Sequence, residues 1–175
     1  MKTLYESILS STKTGKSAFL IPKDKNELKQ MISNEIMKNG LKCDLNHIQT
    51  HKITDMSNLF RDSWFDGDIS KWDVSNVKNM NCMFSYSDFN GDISDWDVSS
   101  VEDMNEMFGD SQFNKNISKW NVNNVKDMTK MFFYSKFKRD ISKWEINPNC
   151  KTKKMFRNCY IKDEYKPKQN GKIIE

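Results

Sequence analysis

The stretch FNGDISDWDVSSVEDMNEMFGDSQ, Phe89 to Gln112, decides the fold, because its neighbours repeat it. Before it stands FDGDISKWDVSNVKNMNCMFSYSD, Phe65 to Asp88. After it come FNKNISKWNVNNVKDMTKMFFYSK, Phe113 to Lys136, and FKRDISKWEINPNCKTKKMFRNCY, Phe137 to Tyr160. Trp72, Trp96, Trp120 and Trp144 recur at a strict 24-residue step. A fixed period of about 20–50 residues is the signature of a repeat array, in which each unit buries its apolar face against the next. Residues 41–64, LKCDLNHIQTHKITDMSNLFRDSW, are a disguised first repeat: 24 residues on, Leu45 falls on Ile69, Ile48 on Trp72, Ile53 on Val77 and Phe60 on Phe84. The units are therefore 41–64, 65–88, 89–112, 113–136 and 137–160.

Within a unit, Ile69, Trp72 and Val74 are β-compatible, and Trp72 and Val74 share a face at a period of two. Val77, Met80, Met83 and Phe84 follow at helical spacing, with Ser75 and Asn76 where an N-cap is wanted. The expectation is an α/β repeat solenoid, each coil a strand, a turn and a short helix. Nine of the 11 phenylalanines stand in two columns, Phe65/Phe89/Phe113/Phe137 and Phe60/Phe84/Phe108/Phe132/Phe156, so a thin core is specified along an axis. The tryptophan column, Trp72, Trp96, Trp120 and Trp144, reads as a packed ladder rather than a ligand platform, since aromatics of this size bury about 150–250 Å² each. The acidic columns Asp68/Asp92/Asn116/Asp140 and Asp73/Asp97/Asn121/Glu145 read as turn-forming ladders; with only six glycines in the chain, calcium-binding repeats are not indicated.

An apolar run, Phe19-Leu20-Ile21-Pro22, precedes the array and has the character of an edge strand. Asp24 with Glu27 forms a capping-box-like start, Leu28, Met31, Ile32 and Ile36 make one apolar stripe, and Gly40 supplies a left-handed stop. Residues 19–40 are therefore expected to form an N-terminal cap with a helix over 24–39. The last unit degenerates: Pro148 interrupts it, and Asn149 and Thr152 replace Val and Met. Residues 161–175 are expected to be a fraying tail. Residues 1–18 read as a flexible leader; its Gly15-Lys16-Ser17 ends a phosphate-loop pattern whose opening glycine is missing, Ser10 standing there instead.

Of 175 residues, 37% are hydrophobic, low for a globular chain, yet 12% are aromatic, which argues against disorder. The net charge of +4 gives no strong field, and the lysines gathered toward the C-terminus read as a solubilising end, not a nucleic-acid site. Cys43, Cys82, Cys150 and Cys159 share no column and form no C-x-x-C pair, which points away from zinc; pairing of Cys150 with Cys159 stays open beside free thiols. His47 and His51 stand four apart without a recognisable third ligand. No cofactor, metal or catalytic set is called. No stretch approaches the roughly 20 apolar residues of a membrane span. Residues 1–22 lack the pattern of a secretory signal or lipidation site, so the expected location is cytoplasmic or virion-associated, with the cell surface as runner-up.

The unit F-N-G-D-I-S-x-W-D-V-S-x-V-x-x-M-x-x-M-F resembles the BspA-like leucine-rich-repeat family, and more narrowly the 24- to 25-residue repeats of unknown function in mycoplasma surface lipoproteins, gut and oral bacteria and their phages. The resemblance covers Leu41 to Tyr160. It implies a right-handed solenoid and a binding role, often adhesive, and no catalytic residues.

The function expected is a non-enzymatic protein–protein interaction module with an unidentified protein partner and an open oligomeric state. The alternative is a cell-surface or virion-displayed adhesin for host protein or glycan. Columns that vary would select the partner. Lys71, Asp95, Lys119 and Lys143 form the first candidate stripe, with a charge reversal at Asp95; Ser85, Gly109, Phe133 and Arg157 form the second.

Overall fold

The computed structural model describes residues 19–175, so the expected leader over 1–18 lies outside the described residues. Successive 24-residue units stack in register, column over column. The backbone N–H of Met56 donates to Asn79 O, Met80 to Asp103 O, Met104 to Asp127 O and Met128 to Lys151 O, at 2.8–2.9 Å. Isolated parallel bridges run along the same line, Asp55 to Asn79 to Asp103 to Asp127 to Lys151.

The expected α/β solenoid of five strand–turn–helix coils with a capping helix is not what forms. The described residues hold one α-helix, α1 (Lys25–Asn39), one 3₁₀ turn (Asp163–Tyr165), and one antiparallel sheet of β1 (Lys168–Gln169) and β2 (Lys172–Ile173). The repeats are built of turns, and their hydrogen bonds say why. In the central unit the N–H groups of Met104, Glu106, Phe108 and Asp110 all donate forward into the next unit, to Asp127, Thr129, Met131 and Phe133. The alternate donors Met107 and Gly109 close short turns onto Met104 and Glu106. An α-helix needs each of these N–H groups for the carbonyl four residues back. Glu106 and Asp110 also sit at φ of 50° and 49°, which no right-handed helix admits. The spacing of Val101, Met104, Met107 and Phe108 thus reflects chained three-residue turns, which mimic a helical period. The strand half fails likewise: Trp96 N–H turns back to Ile93 O at 3.3 Å, and Ser75 and Ser99 close side-chain turns on Asp73 and Asp97 instead of capping helices.

Packing follows the columns. The rings of Phe60, Phe84, Phe108, Phe132 and Phe156 stack with centroids 5.6 Å apart at every step. Phe65, Phe89, Phe113 and Phe137 form a parallel stack at 6.2, 6.4 and 6.3 Å. Phe108 meets Phe113 at 4.2 Å, joining the two stacks. Each tryptophan is buried, and its indole N–H donates to a carbonyl of the unit before: Trp72 to Leu45, Trp96 to Ile69, Trp120 to Ile93 and Trp144 to Ile117, at 3.0–3.2 Å. This satisfies the one polar atom of a large buried ring and ties neighbouring units together.

Helix α1 begins at its N-cap Asp24, whose carboxylate accepts from Glu27 N–H at 2.9 Å, and ends at Gly40, φ 85°. Leu28 and Ile32 are buried in the core it shares with the repeats, and Lys25 Nζ reaches Asp55 at 2.8 Å and Ser57 at 2.7 Å. Leu20 pairs in parallel with Ile48. At the other end the tail does not fray. Ile161, Pro167 and Ile174 are buried, and Gln169 Nε2 donates to Asn147 O at 2.9 Å and Cys150 O at 2.8 Å, while its Oε1 accepts from Thr152 Oγ1 at 3.0 Å. Around Pro148 the register slips locally, so that Cys150, not Asn149, makes the turn bond made by Val77, Val101 and Val125, its N–H bonding Asn147 O at 2.9 Å, and the 24-residue step resumes at Lys151.

Candidate functional site

The acidic columns are engaged in turns. Asp68, Asp92, Asn116 and Asp140 accept the backbone N–H two residues on, at 2.9–3.0 Å. Those bonds hold the carboxyls of Asp68, Asp92 and Asp140 below the ordinary aspartate range. Among the described residues no group of three or more His, Cys, Asp or Glu is placed to hold a metal ion. All four cysteines are free, and Cys150 and Cys159 do not pair; burial pushes the Cys150 thiol up to about 11. His47 Nε2 lies 3.6 Å from Glu35 Oε2. No described helix is long and apolar enough to cross a membrane.

The first stripe is present as a surface. Lys71, Asp95, Lys119 and Lys143 are all exposed in successive units. Lys143 lines a shallow depression with Asn116, Ser118, Arg139 and Asp140.

The second variable column lies on a more distinctive edge. Ser85, Gly109 and Phe133 line a cleft of about 280 Å³ between Tyr86 and Tyr134. The tyrosines belong to the next column, Asp62, Tyr86, Asp110, Tyr134 and Asn158, all at φ between 49° and 58°. All five side chains are exposed at this left-handed corner, and the N–H groups of the first four are spent on the next unit, as in Tyr86 to Gly109 O at 2.8 Å and Asp110 to Phe133 O at 2.7 Å. Glu106 and Lys130 form an ion pair at 2.6 Å along one wall, and that contact raises the Lys130 ammonium. Phe133 meets Tyr134 edge-on at 4.6 Å. Three exposed or half-exposed rings here carry a cation: Arg61 over Tyr86, Lys130 over Phe133 and Lys136 over Tyr160, at 5.9, 5.5 and 4.8 Å. Trp64, 74% exposed, stands in the column of Tyr160, two positions beyond that of Tyr86 and Tyr134. Sequence reasoning singled out Ser85, Gly109 and Phe133 but not the tyrosine column beside them. The signal available was the alternation of acid and aromatic down that column, Asp62, Tyr86, Asp110, Tyr134.

A family described as Mycoplasma protein of unknown function, DUF285, matches residues 26–132 and again 85–166. The chain belongs to this family. The two DUF285 matches overlap over 85–132, as a repeat read twice in one chain would give. No curated protein and no solved structure matches the chain. The family name assigns no activity, and in this DUF285 member the aromatic edge is the most distinctive surface among the described residues.

Proposed function

We propose that this chain is a non-enzymatic protein-interaction module whose partner docks on the edge carrying Trp64, Tyr86, Phe133, Tyr134 and Tyr160. The supporting observation is a division of labour. Within the repeats, 41–160, the recurrent aromatics, Phe and Trp, are buried, whereas the aromatics that break the column pattern fall in neighbouring columns, Tyr86, Tyr134 and Tyr160 being 51%, 50% and 63% exposed. Tyr, Trp and Arg are the residues that carry binding energy at protein interfaces, and water-exposed rings on a rigid backbone lose little entropy on docking. The resemblance of the repeat to BspA-like proteins supports a binding role. The Lys71/Asp95/Lys119/Lys143 stripe supports partner choice through charge.

The test is capture of a partner from the native host by the wild-type chain, by Tyr86→Ala/Tyr134→Ala, and by Lys119→Glu/Lys143→Glu. Loss in the tyrosine variant alone is expected. Loss only in the lysine variant would move the interface to the stripe, and a partner retained by both variants would sink the proposal.

A further inference from the structure

The edge contains one site twice, once filled and once open. In the first copy Asp62 stands one unit before Tyr86, and the residue preceding the acid is Arg61. Its guanidinium lies over the Tyr86 ring at 5.9 Å and its Nε is 3.4 Å from Asp62 Oδ2. The second copy is displaced by two units: Asp110 stands one unit before Tyr134, and the residue preceding the acid is Gly109. The backbones correspond. Asp62 and Asp110 have φ of 54° and 49°, and their N–H groups donate to Ser85 O and Phe133 O at 2.9 and 2.7 Å. Where the first copy has its own arginine, the second has the cleft.

We infer that the Asp110–Tyr134 cleft receives an arginine side chain of a partner polypeptide, its guanidinium taking the place that Arg61 fills in the first copy. The open site has the required chemistry. Asp110 makes no salt bridge among the described residues, and a planar guanidinium pairs with a carboxylate while stacking on an aromatic face. Tyr134 is half exposed and, unlike Tyr86, Phe133 and Tyr160, has no cation over its ring among the described residues. Lys130, the cation that also lines the cleft, is neutralised by Glu106 at 2.6 Å. A second, independent observation marks the floor. Ser85 Oγ is the one buried side-chain polar atom among the described residues that has no hydrogen-bond partner. It stands 3.5 Å from where a Cβ on Gly109 would be. A hydroxyl accepts from an N–H donor, and a buried hydroxyl left without any partner costs stability.

The proposal rests on the interaction reading for its partner, but its test needs none. The isotopically labelled chain is titrated with N-acetyl-arginine amide, and the amide signals of Asp110 and Tyr134 are followed by NMR. Saturable shifts at those residues are expected in the millimolar range, about fivefold or more weaker with the neutral isostere N-acetyl-citrulline amide or in Asp110→Asn. Gly109→Arg should fill the cleft from within and remove the response; a Cβ there would meet neighbours no closer than 3.4 Å, so the backbone admits a side chain at this position, and an unchanged melt checks that the variant folds. Arg61→Gly is the decisive arm, because it should open a second site with new shifts at Asp62 and Tyr86. Citrulline binding as well as arginine, a pyranoside probe binding in preference to either, or Arg61→Gly opening no second site would overturn the inference. Any of these results leaves the partner-capture test above to stand or fall by itself.

Discussion

Replacement of Gln169 tests whether the C-terminal residues close the stack or merely trail from it. Its amide group is plugged into the end of the last repeat through two strong donations, to Asn147 O and Cys150 O at 2.9 and 2.8 Å, and one acceptance from Thr152 Oγ1 at 3.0 Å. A further contact to Pro148 O at 3.4 Å is too long to contribute much. With about 0.5–1.5 kcal/mol net for each hydrogen bond, Gln169→Ala should cost about 2–3 kcal/mol. For a chain of this length that corresponds to a fall in Tm of roughly 4–12 °C. Gln169→Glu is the sharper arm. It keeps the shape but turns the donor into an oxygen facing the Asn147 and Cys150 carbonyls, so above the titration of the new carboxyl it should be less stable than Gln169→Ala.

Thermal melts by circular dichroism at neutral pH give the ranking, and hydrogen exchange at Ile141, whose N–H donates to Tyr165 O at 3.0 Å, reports the end locally. Steric filling alone would rank Glu above Ala. A melt unchanged in both variants, with the Ile141 amide unprotected, would refute the closure and restore the fraying tail that composition predicts.

The Phe108→Ala variant removes a fully buried ring from the centre of a stack touching Phe84, Phe113 and Phe132; a loss of about 3–5 kcal/mol is expected in urea unfolding, with no change at the edge cleft. Gly67→Ala would set a Cβ 2.1 Å from Cys43 O and 2.6 Å from the Phe65 ring, so a substitution of one methyl should cost about 1–3 kcal/mol by the same assay, whereas Gly109→Ala should be near neutral. Cys150, buried and with its thiol pushed up to about 11, should resist iodoacetamide at pH 8 in the native chain and react once unfolded, which mass spectrometry reads directly. The carboxyls of Asp68, Asp92 and Asp97 are lower in the folded chain than in the unfolded one, Asp68 and Asp92 chiefly through backbone N–H bonds and Asp97 through its Ser99 hydroxyl contact. Their contribution is therefore complete above the ordinary aspartate value of 3.8 and is lost as pH falls below it. A Tm that declines from pH 5 to pH 2, and declines less in Asp92→Asn, is the expected outcome.

The columns were legible because a repeat states its own alignment. Ile93, Trp96, Val98, Val101, Met104, Met107 and Phe108 are each identified as interior by recurrence, and each is buried. Helix α1 was legible for a different reason: Asp24 and Gly40 mark its two ends, and the stripe through Leu28 and Ile32 needs no partner to be recognised. Recurrence does not say which carbonyl an N–H will choose. The bonds from Met104, Glu106, Phe108 and Asp110 cross to the next unit, and a pattern analysis confined to one unit sees only a three-residue spacing that a helix would share. The tail was misread for a related reason: Gln169 and Thr152 are polar, yet their value lies in the carbonyls that the last unit would otherwise leave bare.

The edge cleft shows how a departure from a repeat can carry more than the repeat does. Gly109 read against its neighbours Ser85 and Phe133 is only a variable position. Set two units away, against Arg61, it becomes the loss of the cation beside a recurring acid, ring and left-handed backbone, with Glu106, Lys130 and Phe133 standing where the first copy has Asn58, Cys82 and Ser85. In a stack where backbone geometry is copied from unit to unit, the first copy supplies the occupied form of the second, so Arg61 over Tyr86 serves as the internal standard for what Asp110 and Tyr134 are shaped to hold. The same logic makes Arg61→Gly more informative than any loss of binding, since a site created by removing a side chain cannot be explained by damage to the fold.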